Sequence, residues 1–308
     1  MDLTAVNDLS SQRILLIGVS GQLGRALATQ FSVGTLVAAS NQHAQPGELR
    51  IDLGDLAATE SVLRTVRPDL ILIAGAMCNV DQCEIEPDAC ERINLRGPAI
   101  VAEYAAGHGA NIVFFSTDHV FDGEREQYVE SDAVNPLNQY VRSKARAETL
   151  VRTLLPDRHL ILRTGWVYGP DRQRRNFALR LVDRITRGET VVVPSDQWGC
   201  PTYTEDLAFA TRYLVERGAI GTYHATGPEL IDRGNLAYRI CEEFGLDRRA
   251  VILRPTRELG QTARRSLRVQ LDCRKLHAAG VPPFRRVAEG LRALAGSPDT
   301  AVAAFREG

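Results

Sequence analysis

Tyr140 and Lys144 stand four residues apart in the stretch Asn138-Gln139-Tyr140-Val141-Arg142-Ser143-Lys144. On a helix that spacing places both side chains on one face. A free phenol titrates near pH ~10, so near neutrality it donates its proton sluggishly and its phenolate is scarce. An ammonium held beside it favours the phenolate and lowers that pKa, which brings proton transfer into a working range. The pair acts as a proton-transfer centre only if the chain builds a cofactor site next to it. Without one it is an ordinary helical coincidence.

The elements able to build that site start at residues 13–17, a short apolar run of the kind found in strands buried on both faces. It leads into Gly18-Val19-Ser20-Gly21-Gln22-Leu23-Gly24 and a helical segment at 25–31. Glycines in this GxxGxxG pattern permit a tight turn and close backbone approach, and the helix behind them offers free N–H groups to a pyrophosphate. With a strand before and a helix after, dinucleotide binding is favoured over a plain glycine-rich turn. A second strand at 35–39 ends in Ser40-Asn41-Gln42-His43, without the acidic residue that an NAD-selective site usually carries for the ribose hydroxyls. NADP is therefore permitted and mildly favoured over NAD, with Arg25 in reach of a 2′-phosphate.

Residues 49–53 read as a short strand ending in Asp52 and Leu53, with the carboxylate suited to hydrogen-bonding adenine. A helix at 59–66 leads to a buried strand at 69–74, after which Ala74, Gly75 and Ala76 are small enough to let the backbone approach a cofactor. Residues 87–108 are helical in character despite Pro98 and carry Asn94. A further buried strand at 111–115 ends in Ser116-Thr117-Asp118. This alternation implies an α/β fold, a parallel sheet with helices on both faces. Ligands of such sheets bind at the carboxyl ends of the strands, where Gly18, Ala74 and Thr117 all fall.

The second half is less explicit. Trp166 and Tyr168 lie just past a strand end, able to stack on a sugar or base or to pack in the core. Helices are expected at 176–188, 204–217 (with Thr204 as N-cap) and 235–244, and strands at 190–193 and 221–225. His224 alternates with apolar neighbours and reads as structural. Residues 1–12 are polar and aperiodic, a loose tail.

Composition narrows the function. Hydrophobic content of 44% and charged content of 24% are those of a soluble globular protein. A net charge of -1 argues against nucleic acid or an acidic membrane as the main partner, since both select for a basic excess. No apolar run approaches the ~18 residues of a membrane span. The six cysteines match no paired CxxC zinc pattern and read as free thiols in a reducing compartment, so a cytoplasmic location is expected.

Taken together these segments resemble the extended short-chain dehydrogenase/reductase family. Ser116-Thr117-Asp118-His119-Val120-Phe121-Asp122-Gly123 and Asn135-Pro136-Leu137-Asn138-Gln139-Tyr140 narrow the resemblance to its dTDP-4-dehydrorhamnose reductase branch. Further matches are Arg163-Thr164-Gly165-Trp166-Val167-Tyr168-Gly169, Asn176-Phe177, Asp196-Gln197-Trp198-Gly199-Cys200-Pro201-Thr202 and Leu271-Asp272-Cys273-Arg274-Lys275-Leu276. The likeness spans roughly residues 13–295.

The resemblance implies a Rossmann-like doubly wound parallel sheet with a smaller C-terminal substrate-binding lobe. Residues 13–165 and about 200–225 would bind NAD(P), and 166–199 and 226–300 the substrate. It implies reduction of the C4 ketone of a nucleotide-linked 4-keto-6-deoxy sugar by NADPH or NADH. Tyr140 is then the acid, Lys144 binds the nicotinamide ribose and lowers the tyrosine pKa, and Thr117 hydrogen-bonds the substrate oxygen. Asp118, His119, Trp166, Asn176, Arg264 and Arg265 are the implied substrate contacts, the arginines suited to a diphosphate. Some relatives form magnesium-bridged dimers through an acidic residue after the glycine loop; Arg25 and Ala26 stand there, so no metal is expected. A homodimer is the assembly the resemblance allows for.

The chain departs from the pattern at Val141, where the family usually has glycine, and at His119, where it usually has tyrosine. These departures leave open a non-catalytic regulatory subunit of the same fold family. A nucleotide-sugar epimerase is a further alternative. A dehydratase is disfavoured, because Asp118 is followed by His119 rather than by a second acid.

Overall fold

The structure, a computed structural model, describes residues 7–32 and 34–298. In chain order it begins β1 (Arg13–Ile17), α1 (Gln22–Gln30), β2 (Thr35–Ser40), β3 (Leu49–Arg50), α2 (Leu56–Val66) and β4 (Leu70–Ile73). There follow α3 (Val80–Ile85), α4 (Pro87–Glu91), a π-helical turn (Arg92–Arg96), α5 (Gly97–His108), β5 (Asn111–Thr117), α6 (Gln139–Leu154) and β6 (His159–Thr164). The second half runs β7 (Val167–Tyr168), α7 (Phe177–Thr186), β8 (Val191–Pro194), β9 (Trp198–Gly199), β10 (Thr202–Tyr203), α8 (Thr204–Glu216) and β11 (Gly221–His224). It closes with β12 (Ile231–Asp232), α9 (Arg233–Glu243), β13 (Val251–Arg254), α10 (Arg274–Ala278) and α11 (Val287–Ala295).

Seven strands form one parallel sheet in the order β11-β6-β5-β4-β1-β2-β3. The chain leaves β1 toward β2 and β3, then returns to its other side at β4, so the crevice between the ends of β1 and β4 is the topological switch point. All of β4, and β1 from Ile14 onward, are buried on both faces, because helices cover both sides of the sheet. One apolar core joins α1 and α8 to the sheet, with Leu16, Leu27, Leu72 and Leu207 among its members. A second, with Leu15, Leu63, Ile71, Val101 and Val151, lies under α2, α5 and α6. A separate core gathers α7, β8, α9, β13 and α11 around Leu179, Val182, Ile240 and Leu291. The doubly wound sheet is that of a Rossmann-like fold.

Four expectations are corrected. The strand expected at 49–53 stops at Arg50, because Asp52 turns its carboxylate onto Gly54 N–H at 2.8 Å and begins the turn into α2. The helix expected at 87–108 is three pieces with a π turn in the middle. Pro98 falls in the first turn of α5, where its missing N–H costs no helical bond. Thr204 is not the N-cap of α8: Tyr203 holds that place, and the Thr204 hydroxyl is buried without a partner. The loose tail fails for residues 7–12, since Leu9 is 3% exposed in the α1–α8 core and Asn7 N–H bonds Glu216 C=O; residues 1–6 of that segment lie outside the described residues.

Candidate active site

The crevice at the switch point is lined by backbone. Gly18 has φ +97, and a Cβ there would lie 2.5 Å from Gly75 N, so two strand ends approach more closely than any side chain permits. A Cβ on Gly24 would overlap the Gly18 carbonyl, which is why α1 seats directly on the loop. Gly21 is the N-cap of α1 and makes no side-chain cap, leaving the first-turn N–H groups of Gln22, Leu23 and Gly24 to a ligand. This cradle fits a dinucleotide diphosphate. Ala74 N–H bonds Ile17 C=O at 2.9 Å, which fixes Gly75 and Ala76 opposite the glycine loop. Ser20 is tied to the second half of the chain, its C=O accepting from Gln173 Nε2 at 3.2 Å.

Thr117 ends β5, beside this crevice, 6% exposed. Its hydroxyl donates to Asp118 Oδ1 at 3.1 Å and accepts from His119 N–H at 3.2 Å. Asp118 is buried beneath Gly165, where a Cβ would overlap its carboxylate. Tyr140 and Lys144 fall on the first two turns of α6, because Asn138 caps that helix by accepting from Val141 N–H at 3.0 Å. Lys144 is 3% exposed, its Nζ 3.9 Å from the Phe114 ring centroid. Among the described residues nothing hydrogen-bonds the Lys144 ammonium or the Tyr140 hydroxyl, and neither polar atom is sealed from solvent.

Burial lowers the Lys144 ammonium to about 8. Burial also raises the Tyr140 phenol well above its ordinary value, with Cys78, Asp118, Cys83 and Cys90 adding to the rise. A tyrosine depressed by its lysine was expected. Desolvation, with Asp118 and the neighbouring thiols, reverses the sign.

The chain matches the family described as the RmlD substrate binding domain over residues 12–297. It belongs to that family. It is 33% identical over 243 residues to a dTDP-4-dehydrorhamnose reductase of Aggregatibacter actinomycetemcomitans, covering 75% of this chain and 79% of that protein. It is 29% identical over 296 residues to the methionine adenosyltransferase 2 subunit beta of Rattus norvegicus, covering 90% of this chain and 86% of the other. Among solved structures, the dTDP-4-dehydrorhamnose reductase of Bacillus anthracis in complex with NADP superposes with a TM-score of 0.79 at 28% identity, covering 92% and 98% of the two chains.

Several residues expected to touch ligand are spent on the protein in this RmlD-family chain. Asn94, in the π turn, holds the Met77 backbone from both sides, accepting from its N–H at 2.8 Å and donating to its C=O at 3.0 Å. It positions the loop after β4. Asn176 caps α7 and donates to Gln22 Oε1 and Gly169 C=O, both at 3.0 Å, joining that helix to the glycine loop. Arg265 forks onto Asp81 at 2.7 and 3.1 Å, so its guanidinium is already paired. Arg264 is exposed, and its carbonyl accepts from Asn138 Nδ2 at 2.8 Å. Leu53 is buried beside Gly97. His119 points its Nε2 to 4.0 Å from Asp118 Oδ1. Val141 is 1% exposed and packs with Phe121, Tyr128 and Leu271, so it fills a small core.

Two residues escaped the sequence in this RmlD-family site. The Ser40 hydroxyl donates to Glu48 Oε2 at 2.9 Å, so the loop after β2 brings back the acidic group that its end lacks. The signal was a glutamate eight residues along a polar loop, which has no fixed spacing. Arg233 opens α9 with its guanidinium carbon 3.4 Å from the centroid of Trp166. Among the described residues no cluster of three or more His, Cys, Asp or Glu side chains is placed to hold a metal.

Proposed function

We propose that this chain reduces the C4 ketone of a nucleotide-linked 4-keto-6-deoxy sugar with a nicotinamide cofactor. The carrying observation is convergence. Thr117 ends β5, Tyr140 and Lys144 open α6, which packs on β5 through Lys144 and Phe114, and the glycine loop follows β1 in the same sheet. A reduced nicotinamide, when bound, supplies the hydride. Thr117 and Tyr140 are assigned to the substrate oxygen, where Tyr140 gives up its proton as negative charge develops. Its raised pKa keeps that proton in place at neutral pH, the state an acid needs. Lys144, at about 8, is charged at neutral pH and stabilises the phenolate left behind.

The same proposal assigns 13–165 and about 200–225 to cofactor binding and the remaining lobe to the sugar nucleotide. The cofactor proposed is NADP or NAD, and the Bacillus anthracis relative was solved with NADP. The assembly proposed is a homodimer, tested by light scattering. No helix among the described residues is long and apolar enough to cross a membrane.

The test is to mix the protein with NADPH or NADH and dTDP-4-dehydrorhamnose, or with GDP- and CDP-linked 4-keto sugars, and follow absorbance of the reduced cofactor. Oxidation is expected. Cofactor binding with no oxidation on any sugar overturns the reductase and favours a regulatory subunit. That second reading draws on the likeness to methionine adenosyltransferase 2 subunit beta.

A further inference from the structure

Arg233 differs from several other buried or half-buried arginines of this chain. Arg163 is paired with Glu148, Arg174 with Asp183, Arg212 with Glu216 and Arg265 with Asp81. The Arg233 guanidinium has no carboxylate in ion-pair range and no hydrogen-bond acceptor among the described residues. Its neighbour Asp232 is no partner, because that carboxylate caps α9 by accepting from Asn235 N–H at 2.8 Å and also takes Asn235 Nδ2. What holds Arg233 is aromatic. Its guanidinium carbon lies 3.4 Å from the Trp166 centroid and 4.7 Å from that of Phe177.

The Trp166 ring is itself held in place at a cost. Its backbone has φ +44, a conformation side chains rarely adopt, and its ring lies so close over Gly199 that a Cβ there would be 2.5 Å from Cε2. Burial pulls the Arg233 guanidinium down to about 9, Asp118 opposes that shift, and Arg180 and Arg265 reinforce it. The guanidinium is half-buried and its N–H donors meet no acceptor among the described residues, so they stay open to an anionic ligand. Trp166 directly follows Gly165, which packs on the Asp118 carboxylate, so the stacked cation lies near the Thr117–Asp118 end of β5.

We propose that Arg233, stacked on Trp166, takes the diphosphate of the nucleotide-linked substrate through its planar fork. This rests on the nucleotide-sugar reading and assigns the anion to a residue other than Arg264 and Arg265. A fork matches two phosphate oxygens at once, and stacking fixes its plane before the ligand arrives.

Titration calorimetry with dTDP alone, on the wild type, Arg233→Met and Arg233→Lys, tests it, with NADH and NADPH affinity as the control. Arg233→Met is expected to weaken dTDP roughly 10- to 100-fold while cofactor affinity stays within about twofold. Arg233→Lys should recover only part of the loss, since it keeps charge but not the fork. Unchanged dTDP affinity in Arg233→Met, with cofactor still bound, overturns the proposal. If Arg233→Met does not fold, Arg233→Lys decides: affinity equal to wild type overturns it, and weakened dTDP with intact cofactor binding supports it. A wild type that binds neither dTDP nor UDP also overturns it. Arg233-dependent dTDP binding without turnover of any 4-keto sugar leaves the anion site standing and removes the reductase reading instead.

Discussion

The Lys144 ammonium lies 3.9 Å from the centre of the Phe114 ring, the first turns of α6 thus being pinned to β5 by a buried cation. Desolvation there lowers the lysine from its ordinary 10.5 to about 8. The native state therefore sheds this proton before the unfolded chain does. Stability contributed at this site rises with pH from about 8 to 10.5, since the native form escapes a buried charge while the unfolded form still binds the proton. The difference in unfolding free energy between wild type and Lys144→Met, measured across that window, should change by an amount that vanishes below pH ~7. Turnover should decline above about 8, where the cation is lost. A flat difference and a flat rate would rule out the desolvated lysine.

Tyr140→Phe removes the proton donor and leaves the ring. Turnover is expected to fall about 10²–10⁴-fold while NADPH affinity is retained. Thr117→Val, which keeps the shape and loses the hydroxyl, should cost about 10²-fold with cofactor binding intact. Steady-state kinetics with a 4-keto sugar nucleotide, beside cofactor titration, checks both. Full activity in Tyr140→Phe removes its assigned role.

Glu48 is delivered to the end of β2 by its bond from Ser40, 2.9 Å long, and also accepts from Gln45 N–H at 3.0 Å. Gly18 N–H bonds Ala39 C=O, so this carboxylate stands beside the glycine loop. A negative group there suits ribose hydroxyls and repels a 2′-phosphate. Glu48→Gln should shift the ratio of NADPH to NADH affinity about tenfold toward NADPH. Fluorescence titration of both cofactors reads it, and an unmoved ratio assigns the selectivity elsewhere.

Glu148, one turn after Lys144, accepts from Arg163 at 2.7 Å, and the two side chains are 1% and 2% exposed. Removing one partner strands a buried charge. Glu148→Ala is expected to lower unfolding free energy by about 3–5 kcal/mol, seen in urea denaturation. His224 stacks edge-on to Phe121 beside this pair, and burial drives it down to about 3, so it stays neutral and structural, as its alternation with apolar residues implied. A loss under about 1 kcal/mol would mean that the pair is solvated in solution.

The placement of the glycine loop between β1 and α1, of Thr117 at the end of β5 and of Tyr140 and Lys144 on one helix was legible in the sequence because each depends on local geometry. A buried strand must run into a turn, and a helix must return its side chains every third or fourth residue. The parallel sheet followed from the same alternation. Leu9 and Thr204 were misread because burial and cap geometry at those positions depend on what packs over them.

The opening pair carries the same division. The sequence by itself put Tyr140 and Lys144 on one helical face and a glycine-rich turn between the first strand and helix. Only the tertiary structure decided their protonation, because desolvation comes from residues brought in from β5 and the loop after β4. It also decided which polar side chains remain open to a ligand. Arg265 meets Asp81 across 184 residues, Asn176 spends its amide on Gln22, and Arg233 finds only the face of Trp166. No local spacing encodes such pairings, since they form only when the long-range fold brings distant segments within hydrogen-bond reach.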